Sequence, residues 1–486
     1  MSGFMRESDA FAWYMETDQT LRSTVVIVAW LERSPDWDAL VAKLEWTSRM
    51  IPGFRERVRV PPFRLATPRW TVDQRFDLAR HLRRFDSPAP HTWDTVMAVA
   101  GAAASEEFDR SRPLWEFTLV EDLDDGRAAL VMKLHHSLTD GIGGVELALF
   151  LFDLEATPAQ TPVEPESPND DRAGSRNLIL LSVAHRWERF VTLVTRAMAS
   201  LSPMMRHVAR HPIAGVGDAV KTMLSIGRMM APVSAKLSPV MRRRGVIRHF
   251  ELAEMQLHDL RRAAAAAGGK INDGFIAGVT GGLRRYHERH SAPVDQLRMT
   301  LPISIRTPED PLGGNRLTLI RFPVPVAQTD PAARIREIAT LCRAAQDERS
   351  LQYTDGIAAT LNLLPRRVIG GMLKHIDFLA SNIPGFTFPV FLAGVPVERL
   401  VTFGPTTGTA ANFTLMSYDG RCCVGINIDI EAVPDPHVLI ECVREGFEEV
   451  LSLAGAHDHV GLPLRDAPAP ATVTKGMFGS ARRRRT

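Results

Sequence analysis

The stretch Ala128-Ala129-Leu130-Val131-Met132-Lys133-Leu134-His135-His136-Ser137-Leu138-Thr139-Asp140-Gly141 carries the most information in the chain. Ala128–Leu134 has the length and apolar content of a buried strand. The two histidines follow at its end, in a loop closed by Asp140-Gly141 and continued by Gly143-Gly144, where a side chain can project into a cleft. Imidazole is the side chain whose ordinary pKa suits proton abstraction near neutrality. Neither a G-x-S-x-G elbow nor a cysteine beside a plausible base occurs, so direct attack by an activated hydroxyl is simpler than a covalent enzyme intermediate. A metal is not expected, because adjacent histidines seldom ligate one ion and no H-E-x-x-H follows. Two satisfied polar side chains at a strand end remain the alternative, and the motif by itself does not choose.

Outward from this point the chain divides into three parts and a tail. Residues 1–155 alternate β-like runs (Thr24–Leu31, Leu114–Val120, Ala128–Leu134) with helical ones (Trp37–Arg49, Trp93–Phe108, Gly144–Leu154), which predicts an α/β lobe. Residues 156–175 hold Pro158, Pro162, Pro165 and Pro168 among acidic and small polar residues and predict a mobile surface loop. Residues 176–249 predict two or three amphipathic helices that join the lobes. The α/β alternation resumes over 250–456, with strands at Arg298–Ile305 and Arg316–Val324. Asn272-Asp273 is the expected N-cap of a helix through Tyr286, after a helix over Met255–Ala267 stopped by Gly268-Gly269. Ala411–Ser417 and Arg421–Ile430 flank Tyr418-Asp419-Gly420, a hairpin signal, and a last helix runs from Pro436 to Leu453. Residues 457–486, rich in Pro and Ala and ending in four arginines, are expected to be disordered. Two lobes of similar size place a site in the cleft between them.

The net charge of +2 conceals an asymmetry. Between Arg176 and Arg248 thirteen Lys or Arg face only Glu188 and Asp218, and seven of the 18 methionines fall there. This basic segment reads either as a helical connector with a solvated face or as a surface for lipid headgroups or cofactor phosphates. Its methionine and leucine content suits lipid better than a duplex, so nucleic acid is not expected as a partner. Cys342, Cys422, Cys423 and Cys442 lack metal-ligand spacing, and neighbours such as Cys422 and Cys423 on one strand point to opposite faces. They read as reduced packing residues. The polar start and the lack of any run of roughly 18–20 apolar residues predict neither a signal peptide nor a spanning helix. The expected location is cytoplasmic, peripheral to the inner membrane or lipid droplets.

Several ordered blocks carry a family resemblance. His-His-x-x-x-Asp-Gly is the signature of the CoA-dependent acyltransferase superfamily. Pro113-Leu114-Trp115-Glu116, Asn272-Asp273, Pro302-Ile303-Ser304-Ile305-Arg306 with Gly314-Asn315, Ser381-Asn382-Ile383-Pro384-Gly385, and Ser417-Tyr418-x-Gly420 with Val433-Pro434-Asp435 all resemble the bacterial wax ester synthase/diacylglycerol acyltransferase family. The resemblance runs from Asp9 to about Pro436. The block from Asp9 to Asp18, with Glu16, fits only loosely, and the strand Thr24–Leu31 lacks the small polar pattern expected there.

The resemblance implies an α/β fold of two chloramphenicol-acetyltransferase-like lobes with mixed sheets and a tunnel at their interface. It implies fatty acyl transfer from acyl-CoA to a lipid hydroxyl, either diacylglycerol or a long-chain alcohol, with acyl-CoA as co-substrate and no permanently bound cofactor. His136 is then the general base beside His135. Asp140 holds the loop with Arg306 as its partner, and Gly141 permits the turn. Asn272 is assigned either the oxyanion donor or a plain N-cap, and Trp115 either tunnel wall or core. Ser381 and Gly385 are expected to shape a tight loop near the CoA or acyl path. The competing readings are an acyltransferase for a polyketide or glycolipid hydroxyl, a condensation-type enzyme, or a catalytically silent lipid-binding protein.

Overall fold

The computed structural model describes residues 3–89, 91–138, 144, 148–157, 178–188, 191, 235–304, 317–348 and 373–455. Most of the Pro-rich loop, most of the basic segment and the tail beyond Gly455 lie outside the described residues.

Two six-stranded mixed sheets dominate. The first is assembled from β2 (Thr24–Leu31), β5 (Leu82–Asp86), β6 (Trp115–Glu121) and β7 (Ala128–His135) together with β12 (Phe391–Leu392) and β13 (Val395–Phe403), in the order β12-β13-β2-β7-β6-β5. The second contains β8 (Arg248–Gln256), β9 (Gln296–Ser304), β10 (Leu317–Pro325), β11 (Phe378–Ile383), β14 (Ala411–Tyr418) and β15 (Arg421–Asp429), in the order β10-β9-β11-β14-β15-β8. A small sheet of β1 (Gly3–Phe4), β4 (Arg69–Val72) and β3 (Glu56–Arg59) flanks the first. The helices are α1 (Glu7–Met15), α2 (Trp37–Met50), α3 (Trp93–Ser105), α4 (Leu257–Ala266), α5 (Ile271–Arg289), α6 (Pro331–Gln346) and α7 (Pro436–Ser452).

β7 lies between β2 and β6, and all but one of its side chains are buried. That is why its sequence is a near-continuous apolar run rather than an alternating one. Leu130 and Met132 enter a cluster with Leu40, Leu44 and Trp115 on one face. Ala129 and Val131 enter another with Val96 and Ala100 of α3 on the opposite face.

The domain boundary expected at residue 250 does not divide the sheets. β12 and β13, from the C-terminal part, complete the N-terminal sheet: Val401 pairs with Val28 and Phe403 with Val26. Alternation identifies a half-buried strand but does not name its partner. The same β13 leans on the second sheet, where the Thr402 carbonyl sits against Gly425 of β15 so closely that a Cβ there would overlap it. Phe250 of β8 stacks on Phe403 with ring centroids 4.2 Å apart. Beyond β13 the chain returns to its own lobe, held by Asn412 Nδ2 donating to Pro405 O (2.7 Å) and Asn427 Nδ2 donating to Gly404 O (2.8 Å).

Other expectations shift locally. β8 extends to Gln256, so the helix expected from Met255 begins at Leu257. The N-cap of α5 is Lys270, not Asn272 or Asp273; Asp273 instead accepts the Lys270 N–H at 2.7 Å. Cys422 and Cys423 do face opposite sides of β15, one in each core cluster, and burial pushes the Cys422 thiol up to about 12.

A side chain at position 425 must push β13 off the second sheet. Gly425→Val is expected to lower stability by about 1–3 kcal/mol through overpacking, read as a reduced midpoint in urea denaturation with an unchanged slope.

Candidate active site

His136 is the first residue past β7. Its backbone N–H donates to Ser23 O at 2.9 Å, and Thr24, the next residue, pairs in register with His135. Its side chain is half-buried, whereas His135 is 1% exposed. The difference follows from the strand: His135 still belongs to the ladder, and His136 has left it at a turn.

His135 is locked from several sides. Its Nδ1 accepts the Ser137 backbone N–H at 3.1 Å and lies 2.7 Å from Ser137 Oγ. Nε2 therefore carries the ring proton and faces Glu16 Oε2 at 3.4 Å. Trp13 and Phe108 approach the ring edge-on, with centroids 6.0 and 5.9 Å away. Glu16 Oε2 also accepts the Ser23 N–H at 2.7 Å. Burial pushes the Glu16 carboxyl up, but the His135 ring, the Ser23 N–H and the Arg110 charge outweigh it, and its pKa stays below the ordinary glutamate value. One carboxylate thus holds the Ser23 N–H and lies beside the His135 ring, and the Ser23 carbonyl holds the His136 N–H. Glu16 is a positioning residue that the sequence placed only in a loosely fitting block. An acid one turn past the apolar side of a helix was the only signal for it.

Lys133 is a second residue the sequence did not single out. It lies on the same face of β7 as His135, 1% exposed, 3.5 Å from Glu116 and 4.4 Å above the Phe108 ring. Burial drives its pKa down, only partly offset by Glu116 and Glu106. A lone lysine in an apolar strand was the visible sign.

The other assigned residues fall into three groups. Ser381 lies in β11, opposite Thr414 of β14. Gly385 follows in the turn, where its N–H donates to Ser417 Oγ (3.2 Å) and its Cα packs on the Ser417 carbonyl without room for a Cβ. Phe386 O accepts the Asp419 N–H, and Tyr418 Oη bridges Val390 N and Val397 O. The two C-terminal sequence blocks therefore meet, and Phe386, Met416 and Tyr418 share an apolar cluster with Met132 and Leu138 around the turn that follows β7.

Trp115 and Asn272 sit in packing contacts within their own lobes. Trp115 is fully buried, stacked between Phe54 and His81, with Nε1 donating to Phe54 O at 2.9 Å, so it is core. Asn272, at the second position of α5 rather than its N-cap, directs its amide to Cys342 Sγ of α6 at 3.9 Å. Asp140, Gly141 and Arg306 lie outside the described residues. Among the described residues no group of three or more His, Cys, Asp or Glu side chains could hold a metal ion.

Comparison with known proteins matches residues 5–275 to the wax ester synthase/diacylglycerol acyltransferase catalytic domain and residues 313–451 to the C-terminal domain of that family. A Mycobacterium tuberculosis protein named as a putative diacylglycerol O-acyltransferase is 34% identical over 96% of this chain and 95% of its own. Among solved structures, the wax ester synthase/diacylglycerol acyltransferase of Marinobacter aquaeolei superposes with a TM-score of 0.60 at 20% identity, over 92% of this chain and 99% of that one. The starter condensation domain of rhizomide synthetase, solved with C8-CoA and a leucyl thioester analogue, gives 0.59 at 11% identity, over 94% and 95%.

Replacing Glu16 by Gln removes a buried anionic acceptor, at about 1.5–3 kcal/mol. A lowered folded-state pKa stabilises above the ordinary carboxyl value, and the contribution is lost as pH falls through the lowered one. Urea unfolding should therefore show parent and Glu16→Gln well separated at pH 7, with the gap closing in acid.

Proposed function

Because the chain belongs to the wax ester synthase/diacylglycerol acyltransferase family, we propose that it carries a fatty acyl group from acyl-CoA to the hydroxyl of a diacylglycerol or long-chain alcohol, with His136 as general base. The observation that carries the assignment is the contrast between the two histidines. His135 is sealed and oriented, while His136 is half-buried at the end of the central strand, its backbone N–H held by Ser23 O.

The acceptor oxygen attacks the thioester carbonyl as His136 takes the hydroxyl proton. The tetrahedral intermediate collapses, its C–S bond breaks, and His136 returns the proton to the departing thiolate. General base catalysis of this kind contributes roughly 10²–10⁴ in rate. Asp140, paired with Arg306, is assigned to holding the loop, and Gly141 to its turn. Ser381 and Gly385 shape the strand-to-turn wall on the C-terminal side.

A lipid acceptor requires access to a lipid surface. No helix among the described residues is long and apolar enough to cross a membrane. The helical stretch 178–188, at the start of the basic segment, exposes Leu180 (70%) and Trp187 (67%) together with Ile179, Leu181 and Val183. His185 of this stretch stacks on Phe4 of β1 at 4.3 Å. Apolar exposure of this kind within a basic segment supports peripheral docking to an anionic lipid surface.

Parent and His136→Ala protein, each with palmitoyl-CoA and either hexadecanol or dipalmitoylglycerol, separate the possibilities. Acceptor-dependent thiol release and ester product should fall roughly 10²–10⁴-fold in the variant, and the better acceptor defines the substrate. Equal activity in the two proteins removes His136 from the mechanism. Sedimentation with phosphatidylglycerol vesicles at low salt should carry the parent down, and Leu180→Ser with Trp187→Ser should release it.

A further inference from the structure

A cavity of about 620 Å³ opens on the C-terminal lobe. It is within the roughly 300–1,000 Å³ of ordinary ligand sites. Leu237, Pro239 and Val294 give it apolar walls, and Lys236, Arg242 and His375 supply its polar groups. No acidic side chain is among the described lining residues.

The chain around the cavity concentrates positive charge. Lys236 Nζ donates to Arg242 O, which draws the lysine toward the run Arg242-Arg243-Arg244. The nearby acids are already engaged. Asp377, fully buried, accepts the backbone N–H groups of Arg298 (2.8 Å), Ser238 (3.1 Å) and Leu237 (3.3 Å). Asp429 accepts the Gly245 N–H at 2.7 Å and faces Arg248 at 3.3 Å. Burial, followed by Arg244 and then Arg242, depresses the Lys236 pKa, with Asp377 and Asp429 offsetting only part of the shift. His375 Nδ1 is buried with no hydrogen-bond partner among the described residues.

The position connects this cavity to the site. Lys374, next to His375, pairs with Asp18 at 2.7 Å, and Asp18 opens the turn Gln19–Leu21 that leads to Ser23 and so to His136. Arg244 ties the wall to the same seam, with Nη2 donating to Ile376 O (2.8 Å) and Nε to Gly408 O (2.6 Å).

We propose that this cavity binds the phosphate-bearing nucleotide end of the thioester donor, with Lys236 and Arg242 on the phosphates and the apolar wall beneath the base. The inference rests on acyl-CoA being the donor. Lysine and arginine are the usual partners of phosphate oxygens, and arginine can hold two at once. Anchoring the donor through its non-reacting end lowers its KM, whereas the chemistry remains with His136.

The probe is adenosine 3′,5′-bisphosphate, titrated calorimetrically into the parent, Lys236→Ala and Arg242→Glu proteins. Arg242 is exposed, so its replacement leaves the core untouched. Binding to the parent, about tenfold or more weaker in each variant, is the expected result. In steady state, the KM for palmitoyl-CoA should rise by a similar factor relative to the KM for palmitoyl-pantetheine, which lacks the nucleotide. Absent binding in the parent, or an unchanged ratio of the two KM values, overturns the proposal. A loss of phosphatidylglycerol vesicle binding in Arg242→Glu with bisphosphate affinity retained overturns it too, assigning the cations to lipid headgroups. Should the parent not use palmitoyl-CoA at all, the donor reading fails, and the bisphosphate titration alone decides the site.

Discussion

The contact between the Thr402 carbonyl and the bare Cα of Gly425 is the point at which the two halves of the molecule become one. β13 is hydrogen-bonded to β2 along its length, yet its backbone rests on β15. Any side chain at 425 holds these apart. Because β13 is in contact with both sheets, the position of β2 relative to the second lobe is set by backbone geometry rather than by adjustable side chains. β2 in turn presents Ser23 and Thr24 to the two histidines. The buried amides of Asn412 and Asn427 complete the arrangement by taking up carbonyls of the returning chain that would otherwise be left unpaired.

Adjacent histidines with opposite surroundings show how one short motif divides its labour. Sealing His135 beneath Trp13 and Phe108 costs the ring its water. Ser137 compensates by donating to Nδ1, and the Glu16 carboxylate lies 3.4 Å from Nε2. That closed arrangement fixes the backbone at the point where His136 leaves the strand. A general base works best when its backbone is fixed and its ring is near the reacting groups, and misplacement by about 1 Å can cost 10²-fold. The buried Lys133 on the same face, beside Glu116 and Phe108, extends this support along the strand.

Much of this was legible in the sequence, and the illegible parts have a common cause. The apolar run ending in His135, the strand Thr24–Leu31 and the hairpin about Asp419-Gly420 were readable because each is a local pattern; both turn residues adopt positive φ. The buried, oppositely facing Cys422 and Cys423 follow from the same period of two. The transfer of β13 to the other lobe was not readable, since Val395–Phe403 alternates as any half-buried strand does. Propensity favoured Asn272 as a cap, but the Asp273 carboxylate takes the Lys270 N–H and starts α5 two residues earlier. Trp115 beside a catalytic strand could have lined a tunnel; three neighbouring rings placed it in the core instead. The roles of Glu16 and Ser23 depend on a tertiary approach that no spacing encodes.

Strand exchange between lobes also imposes an order on biosynthesis. β2, with the sequence Thr24-Val25-Val26-Ile27-Val28-Ala29-Trp30-Leu31, emerges among the first residues made, but its partner across one edge is not complete until Phe403 has been added. Until then a β-branched, apolar edge has unpaired peptide groups, the kind of edge that recruits foreign strands. Pairings this distant in the chain also close slowly, because the loop entropy is lost before the contact forms. The N-terminal lobe is therefore not an independent folding unit, and nearly the whole chain must be synthesised before its central sheet is closed.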